Sequence, residues 1–339
     1  MIRSERVIKI NFIELFKQII MIFKQSAPIF NQTLILFFLL MIGFSIRRLE
    51  IVDRHLNDNL TNLIIYVTLP ALIINSMDYD FSLERLNQLG VVLVGSVFIF
   101  FIMIAVSWLV SSVLTQEGKE RSIYRFILIF ANVGFMGYPV VEVIFGQQGV
   151  FLATVYNLVF NIFIWTLGVL IMCRGQEGKK AKIDLSHLVN PGIISIGIGF
   201  LIFLFSLELP SALDHTLHML GETTTPLAMI VVGNILAQVK IKDIFSNLKL
   251  WLVTGVRLVI LPLLALAILQ GLTLVIPGLS FSPVLLGVLV VLTGMPAAAN
   301  TAIFAQKFGS DEALASEGVF LTTLLSLVTI PLIVYLTQL

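Results

Sequence analysis

Long apolar stretches separated by short polar turns run through nearly the whole chain. A helix rises about 1.5 Å per residue, so about 20 apolar residues cross a bilayer core of about 30 Å. On that scale the pattern predicts ten spans, at about 29–46, 59–77, 88–114, 123–145, 149–173, 189–207, 216–238, 248–275, 283–307 and 312–337. The short alternating segments of a membrane barrel are not seen. The expected fold class is an all-α polytopic membrane protein. Residues 1–26 break the pattern. There Arg3, Arg6, Lys9, Lys17 and Lys24 are scattered among apolar residues, with Glu14 between them. No uninterrupted apolar core follows a basic start, so a signal peptide is a poor fit. An amphipathic helix lying at the interface is the preferred reading, with an eleventh span as the alternative.

Composition agrees with a membrane protein. Of 339 residues, 58% are hydrophobic and 12% charged, and the mean hydropathy is +1.01. A net charge of +1 gives no reason to expect a nucleic-acid partner. Cys173 is the single cysteine, which rules out an intramolecular disulfide and a cysteine metal cluster. The cations then orient the spans. The loops after odd-numbered spans hold Arg47, Arg48, Arg54, Lys119, Arg121, Arg125, Arg174, Lys179, Lys180, Lys182, Lys240, Lys242, Lys249 and Lys307, whereas those after even-numbered spans hold only Arg85. The positive-inside rule makes the first set cytoplasmic, including the polar linker 174–188, and puts the C-terminus outside. The cations of residues 1–26 run against that rule, so this segment sits on the outer surface or forms an additional inserted element.

Two internal matches divide the chain. Pro70 in span 2 and Pro226 in span 7 are 156 residues apart, and Pro139 in span 4 and Pro296 in span 9 are 157 apart. Such register argues for an internal repeat. The domains expected are 1–26, a first five-helix repeat 27–173, the linker 174–188 and a second repeat 189–339. Five spans are an odd number, so the second repeat enters the membrane from the opposite side. Inverted repeats are the architecture of alternating-access carriers.

The chemistry is expected at the two proline-broken segments. Asn132-Val-Gly-Phe-Met-Gly-Tyr-Pro139 and Thr293-Gly-Met-Pro296-Ala-Ala-Ala-Asn300-Thr301 each carry Gly two residues before Pro, with Asn nearby. Proline lacks an N–H and clashes with the carbonyl four residues back, which should free the carbonyls of Phe135 and Leu292. Gly137 and Gly294 allow a bend and a close backbone approach. A half-helix starting near the midplane presents N–H groups with about half a positive charge, and a small organic anion suits them. Asn132, Gly134, Gly137, Tyr138, Pro139, Met295, Pro296, Ala297, Asn300 and Thr301 are therefore the candidate substrate-binding residues. A mere structural kink, satisfied by neighbouring helices and water, is the plainer alternative.

Other polar residues have two readings each. Glu142, in the first turn after Pro139, either caps that helix or couples a proton or cation to transport. Arg257, well inside span 8, draws the anion, snorkels, or pairs with Glu142 or Glu222. Glu222, before Thr223, Thr224, Thr225 and Pro226, is a further coupling candidate facing an outer vestibule. Thr322, Thr323, Ser326 and Thr329 form a stripe that reads as helix packing. His215 and His218 lack a third metal ligand, so no metal and no cofactor is expected.

The residues Asn132–Pro139, the Pro226-Leu-Ala-Met-Ile-Val-Val-Gly-Asn-Ile-Leu-Ala237 stretch and Phe308-Gly-Ser-Asp-Glu with Thr322, Thr323 and Pro331 resemble the auxin efflux carrier family, of plant auxin exporters and bacterial permeases. The resemblance covers about residues 29–339. It implies ten helices in two inverted five-helix repeats, with broken helices 4 and 9 crossing at Pro139 and Pro296. It also implies a scaffold of helices 1, 2, 6 and 7, a transport domain of helices 3–5 and 8–10, an elevator-like motion and a homodimer. The implied substrates are small carboxylates, and the short linker favours the bacterial type. A secondary carrier of an organic anion in the cell membrane, with H⁺ or Na⁺ as coupling ion, is thus the expected function. The alternatives are a coupled organic-anion symporter of the bile-acid type, and a non-transporting sensor. No enzymatic motif such as His-Glu-x-x-His or Gly-x-Ser-x-Gly occurs.

Overall fold

The computed structural model describes residues 31, 34–51, 54–174, 189–237, 247–275 and 281–337. The helix expected over residues 1–26 and all of the linker but Arg174 lie outside the described residues. What is described is helical throughout, without a β-strand. The helices are α1 (34–48), α2 (Arg54–Leu63), α3 (Leu69–Ser76), α4 (Leu83–Leu114), α5 (Gly118–Ile129), α6 (Tyr138–Phe163), α7 (Val169–Arg174), α8 (Pro191–Phe205), α9 (Ser211–Glu222), α10 (Thr224–Ala237), α11 (Leu248–Gly255), α12 (Leu261–Val275), α13 (Pro283–Thr293), α14 (Asn300–Phe308) and α15 (Glu312–Thr337). Among the described residues, six helical segments are long and apolar enough to cross a membrane: Asn59–Ser76, Leu83–Leu114, Val133–Cys173, Ser211–Leu236, Leu248–Val275 and Glu312–Thr337. Pro191–Phe205 and Pro283–Thr293 are shorter apolar helices. The outward faces of α1, α4, α11 and α15 carry the exposed Phe38, Phe101, Leu109, Val113, Leu252, Val328 and Leu332. In water such a surface would be costly; facing lipid it is the ordinary outer layer of a membrane bundle.

Local sequence explains where helices start and bend. The side chains of Ser82, Asn190, Asn247 and Ser282 each accept the N–H three residues on, capping α4, α8, α11 and α13. Pro191 and Pro283 stand in first turns, where no N–H is needed. Wide π-type turns occupy Ile64–Thr68, Val133–Gly137 and Val256–Ile260, and Pro70, Pro139 and Pro262 follow two residues after each. The widened turn gives the proline ring room that a regular α-turn denies it. In α6 the ladder breaks again at Gly146, where φ is 64° and ψ is −159°. That conformation is essentially restricted to glycine. It divides the 41-residue stretch Val133–Cys173 at the boundary the sequence suggests between its fourth and fifth spans.

The helices pack in two groups. One comprises α1–α3 and α8–α10, with α3 against α8 and α9, and α2 against α10. Here α1 and α10 touch backbone to backbone: a Cβ on Gly43 would lie 2.1 Å from the Ile230 carbonyl oxygen, and one on Gly233 would lie 2.0 Å from that of Leu40. Small residues permit this closeness in lipid, where dispersion and not water exclusion holds helices together. The second group comprises α4–α7 and α11–α15, with α4 on α5 and α6, α13 on α6, and α15 on α13 and α14. The groups meet mainly where α6 and the turn before it face α3, α8 and α10. Buried deepest in the second group are α5 and α13, whose ends run into the site.

Candidate functional site

Helices α5 and α13 both stop inside the bundle. After Ile129 the chain is extended through Phe130 and Ala131, and after Thr293 it is irregular until Asn300. The two interruptions run antiparallel and pair, Ala131 opposite Ala297. Asn132 N–H donates to the Pro296 carbonyl at 2.8 Å, and Ala298 N–H donates to the Phe130 carbonyl at 2.9 Å. Ala297 N–H reaches the Thr322 hydroxyl on α15 at 3.1 Å. Backbone groups released by a broken helix in hydrocarbon need a partner, and here the two breaks supply most of it to each other. The Leu292 carbonyl, expected to be freed by Pro296, accepts the Met295 N–H at 3.4 Å.

The two prolines that match at 157 residues do not occupy equivalent places. Pro139 lies in the first turn of α6, while Pro296 lies within the extended segment itself. Helix boundaries in this region, Leu83 with Leu248 and Ile129 with Thr293, are about 165 residues apart. Both proline-broken segments nevertheless form one crossing.

Most candidate residues at the crossing are buried: Asn132, Gly137, Tyr138, Pro139, Met295, Pro296, Ala297 and Thr301. Gly134 and Phe135 on one side, and Ala299 and Asn300 on the other, are half-buried and form its accessible fringe. Asn132 caps the turn after it, its Oδ1 accepting the Phe135 N–H at 3.2 Å. Its Nδ2 makes no hydrogen bond among the described residues. The Thr301 hydroxyl is spent on the Ala298 carbonyl at 2.6 Å, whereas the buried Tyr138 hydroxyl, with Asn157 near it, makes no well-formed hydrogen bond among the described residues.

Arg257 is the feature that sequence placed least well. It lies wholly buried in the π-type turn between α11 and α12. It neither snorkels nor pairs with Glu142 or Glu222. Its Nε donates to the Met295 carbonyl at 3.0 Å and its Nη1 to the Leu128 carbonyl at 2.9 Å, with Met103 Sδ 3.5 Å away. One guanidinium thus spans the two interruptions, and its Nη2 has no hydrogen-bond partner among the described residues. Two carbonyls and a thioether surround the group, and no carboxylate pairs with it among the described residues. Tyr156, whose hydroxyl lies 3.4 Å from that of Thr293, is within electrostatic reach.

The acids stand elsewhere. Glu142 faces α10, where Thr225 donates to its Oε2 at 2.7 Å, joining the two helix groups. Glu222 is largely exposed and lies 3.7 Å from His218, and both act electrostatically on Glu142. Sequence reading gave Thr322 no role at the site, placing it in a packing stripe and a family motif, and missed the carbonyls of Leu128 and Met295, which carry no side-chain signal.

The profile of a family described as membrane transport protein matches residues 28–334. An uncharacterised transporter of Methanothermobacter thermautotrophicus is 28% identical over 295 residues, covering 87% of this chain and 93% of its own. One of Methanocaldococcus jannaschii is 24% identical over 299 residues, covering 87% and 94%. A candidate malonate transporter of Rhizobium meliloti is 25% identical over 311 residues, covering 89% and 93%.

Proposed function

The chain belongs to this membrane transport protein family, the auxin efflux carrier family that its motifs resemble, and we propose that it carries a small carboxylate across the membrane. The observation that carries the reading is Arg257: a buried cation that, among the described residues, has no acidic partner and one donor nitrogen without a hydrogen bond, fixed to both interruptions at the crossing. An anion entering at Gly134 and Asn300 gains that charge in a low-dielectric setting, together with the amides of Asn132 and Asn300. Substrate contacts are assigned to Asn132, Gly134, Gly137, Tyr138, Pro139, Met295, Pro296, Ala297, Asn300 and Thr301. Malonate is the first substrate to try, from the name of the Rhizobium meliloti relative.

The remaining parts belong to the same proposal. Ten spans form two inverted repeats, 27–173 and 189–339, with the 174–188 linker cytoplasmic and the C-terminus outside in the plasma membrane. The α1–α3 and α8–α10 group is the scaffold through which two copies pair. The other group moves as an elevator and carries the crossing with it. Glu142, at the junction of the groups, couples H⁺ or Na⁺, with Glu222 beside it. No catalytic step is involved.

Proteoliposome currents on a solid-supported membrane test the reading, with malonate and a panel of mono- and dicarboxylates. A current with one acid class that disappears in Asn132→Ala is the expected outcome. Unchanged currents in that variant would sink the crossing as the site.

A further inference from the structure

Two rows of polar side chains run from α9 to α6. In the first, His215 Nδ1 lies 3.6 Å from Asp214 Oδ2, and Asn75 Nδ2 donates to Asp214 Oδ1 at 3.4 Å. Gln147 Nε2 then donates to Asn75 Oδ1 at 3.0 Å. This row ends on an amide, which does not titrate, and it ties α6 to α3 and α9. In the second, His218 Nε2 lies 3.7 Å from Glu222 Oε1, and Thr225 donates to Glu142 Oε2 at 2.7 Å. This row ends on a carboxyl, and His218 has so far had no role.

Helical spacing builds the second row. Glu222 and Thr225 follow His218 by four and seven residues, which puts all three on one helix face. Thr223, with φ −74° and ψ −15°, keeps helical geometry between α9 and α10, so the face continues across the join. Exposure falls along it. Among the described residues the side chains of His218 and Glu222 are 48% and 66% exposed, Glu142 is half-buried and Thr225 is buried. His218 and Glu222 both act electrostatically on Glu142. The other charged groups at this end are Asp214 and His215 on α9, Asp78 and Asp80 after α3, and Glu84 and Arg85 at the start of α4. The π-type turn Ile64–Thr68, α3 and α10, which pack against α9, bring no charge, and Tyr66 is their one titratable side chain. An imidazole suits the entrance of such a row. Ordinary carboxylates are rarely protonated near neutral pH, whereas histidine gains and loses its proton between about pH 5 and 8.

We propose that His218 collects the proton that Glu142 takes up, handing it on through Glu222 and the Thr225 hydroxyl. The proton binds His218 Nε2 and moves to the Glu222 carboxylate. Thr225 then gives its own proton to Glu142 Oε2 and regains one from Glu222, so one proton enters and one carboxylate is neutralised. The 3.7 Å gap between His218 and Glu222 exceeds a hydrogen bond; rotation of the two exposed side chains or one bridging water closes it. The inference rests on Glu142 being the coupling residue. It makes H⁺ the coupling ion, supplied from the membrane face at which α9 lies.

The test has two arms, both on the full chain. In detergent, NMR of ¹³C-labelled histidine follows the titration of His218, assigned by its loss in His218→Asn. The midpoint should fall in Glu142→Gln and in Glu222→Gln, because each removes an anion that favours the imidazolium. Equal midpoints in wild type and Glu142→Gln overturn the inference, and this arm needs no substrate. In proteoliposomes, an enclosed pH dye reads proton uptake with malonate. His218→Asn should lose most of the uptake at neutral pH and regain it when imidazole is added to the outer buffer, with the half-saturating malonate concentration unchanged. His215→Asn, in the row that ends on Gln147, should behave as wild type. Wild-type uptake in His218→Asn, or a loss that imidazole does not restore, overturns the inference. Loss of pH dependence in Glu142→Gln beside an unaffected His218→Asn keeps the coupling role of Glu142 and removes only that of His218. Retained pH dependence in Glu142→Gln removes both. If malonate moves no protons in wild type, the carrier reading fails for that acid, and the NMR arm decides on His218.

Discussion

Replacing Arg257 by methionine separates support of the fold from service to a substrate. The variant loses two hydrogen bonds from a charged donor, at 3.0 and 2.9 Å, worth about 1.5–3 kcal/mol each. It also removes a cation from the apolar interior, where insertion at a helix centre costs about 2.5–3.5 kcal/mol. Methionine fills much of the vacated volume and suits the neighbouring Met103. The opposing effects differ by about 3.5 kcal/mol or less, so the protein folds with a drop in melting temperature. Malonate, if it draws on the free Nη2, loses a charge-assisted bond and binds roughly tenfold to a hundredfold more weakly. Arg257→Lys should recover part of the loss, because an ammonium keeps the charge without the fork that spans both carbonyls. Melting in detergent and malonate titration calorimetry on the same samples read both effects. Wild-type affinity in Arg257→Met, beside a clear loss of stability, would show the residue to be a strut and refute the reasoning.

Other perturbations test separate parts of the structure. Gly233→Ala puts a methyl group 2.0 Å from the Leu40 carbonyl oxygen and should cost about 1–3 kcal/mol by forcing α1 off α10. Gly255→Ala, where a Cβ meets nothing within 4 Å, should be neutral or stabilising by up to about 1 kcal/mol; equal melting of the two variants would contradict the packing. Glu142→Gln retains an acceptor for Thr225 but cannot titrate, so transport should lose its pH dependence; an unaltered profile would make Glu142 purely structural. Burial pushes the Glu120 carboxyl up, but hydrogen bonds from Thr115, Tyr124 and Lys249, with the Lys249 charge, bring it below its ordinary 4.5. Its stabilisation is therefore present above 4.5 and lost as pH falls through the lowered value. The melting difference between wild type and Glu120→Gln should shrink as pH falls from neutral through 4.5; a constant difference would contradict the pairing.

The apolar runs made the helical membrane fold readable, because hydropathy over about 20 residues is a coarse property that packing does not override. The broken helices were readable too, since Gly-x-Pro inside an apolar run leaves few options. Their partners were not. Asn132 N–H pairs with Pro296 and Ala298 N–H with Phe130, bonds between main-chain atoms that any residue could supply. The sequence suggested an anion for donors that the opposite break largely satisfies. Arg257 stood out as an intramembrane cation, but the obvious partners in the sequence were acids, and carbonyls at Leu128 and Met295 leave no trace in residue type. Prolines marked bends correctly yet misled as rulers: Pro139 and Pro296 sit at different points of their interruptions.

The antiparallel pairing at the crossing also sets an order of assembly. Ala131 and Ala297 stand far apart along the chain, and distant contacts form late because closing the intervening loop must come first. While the second half is still being synthesised, Phe130 and Asn132 have no Pro296 or Ala298 to bond. The first half must wait in the membrane with its backbone unsatisfied at the break, exposed to whatever insertion machinery or quality control meets it. A nascent chain stopped before Pro296 therefore lacks not only a transport path but the means to complete its own fourth span.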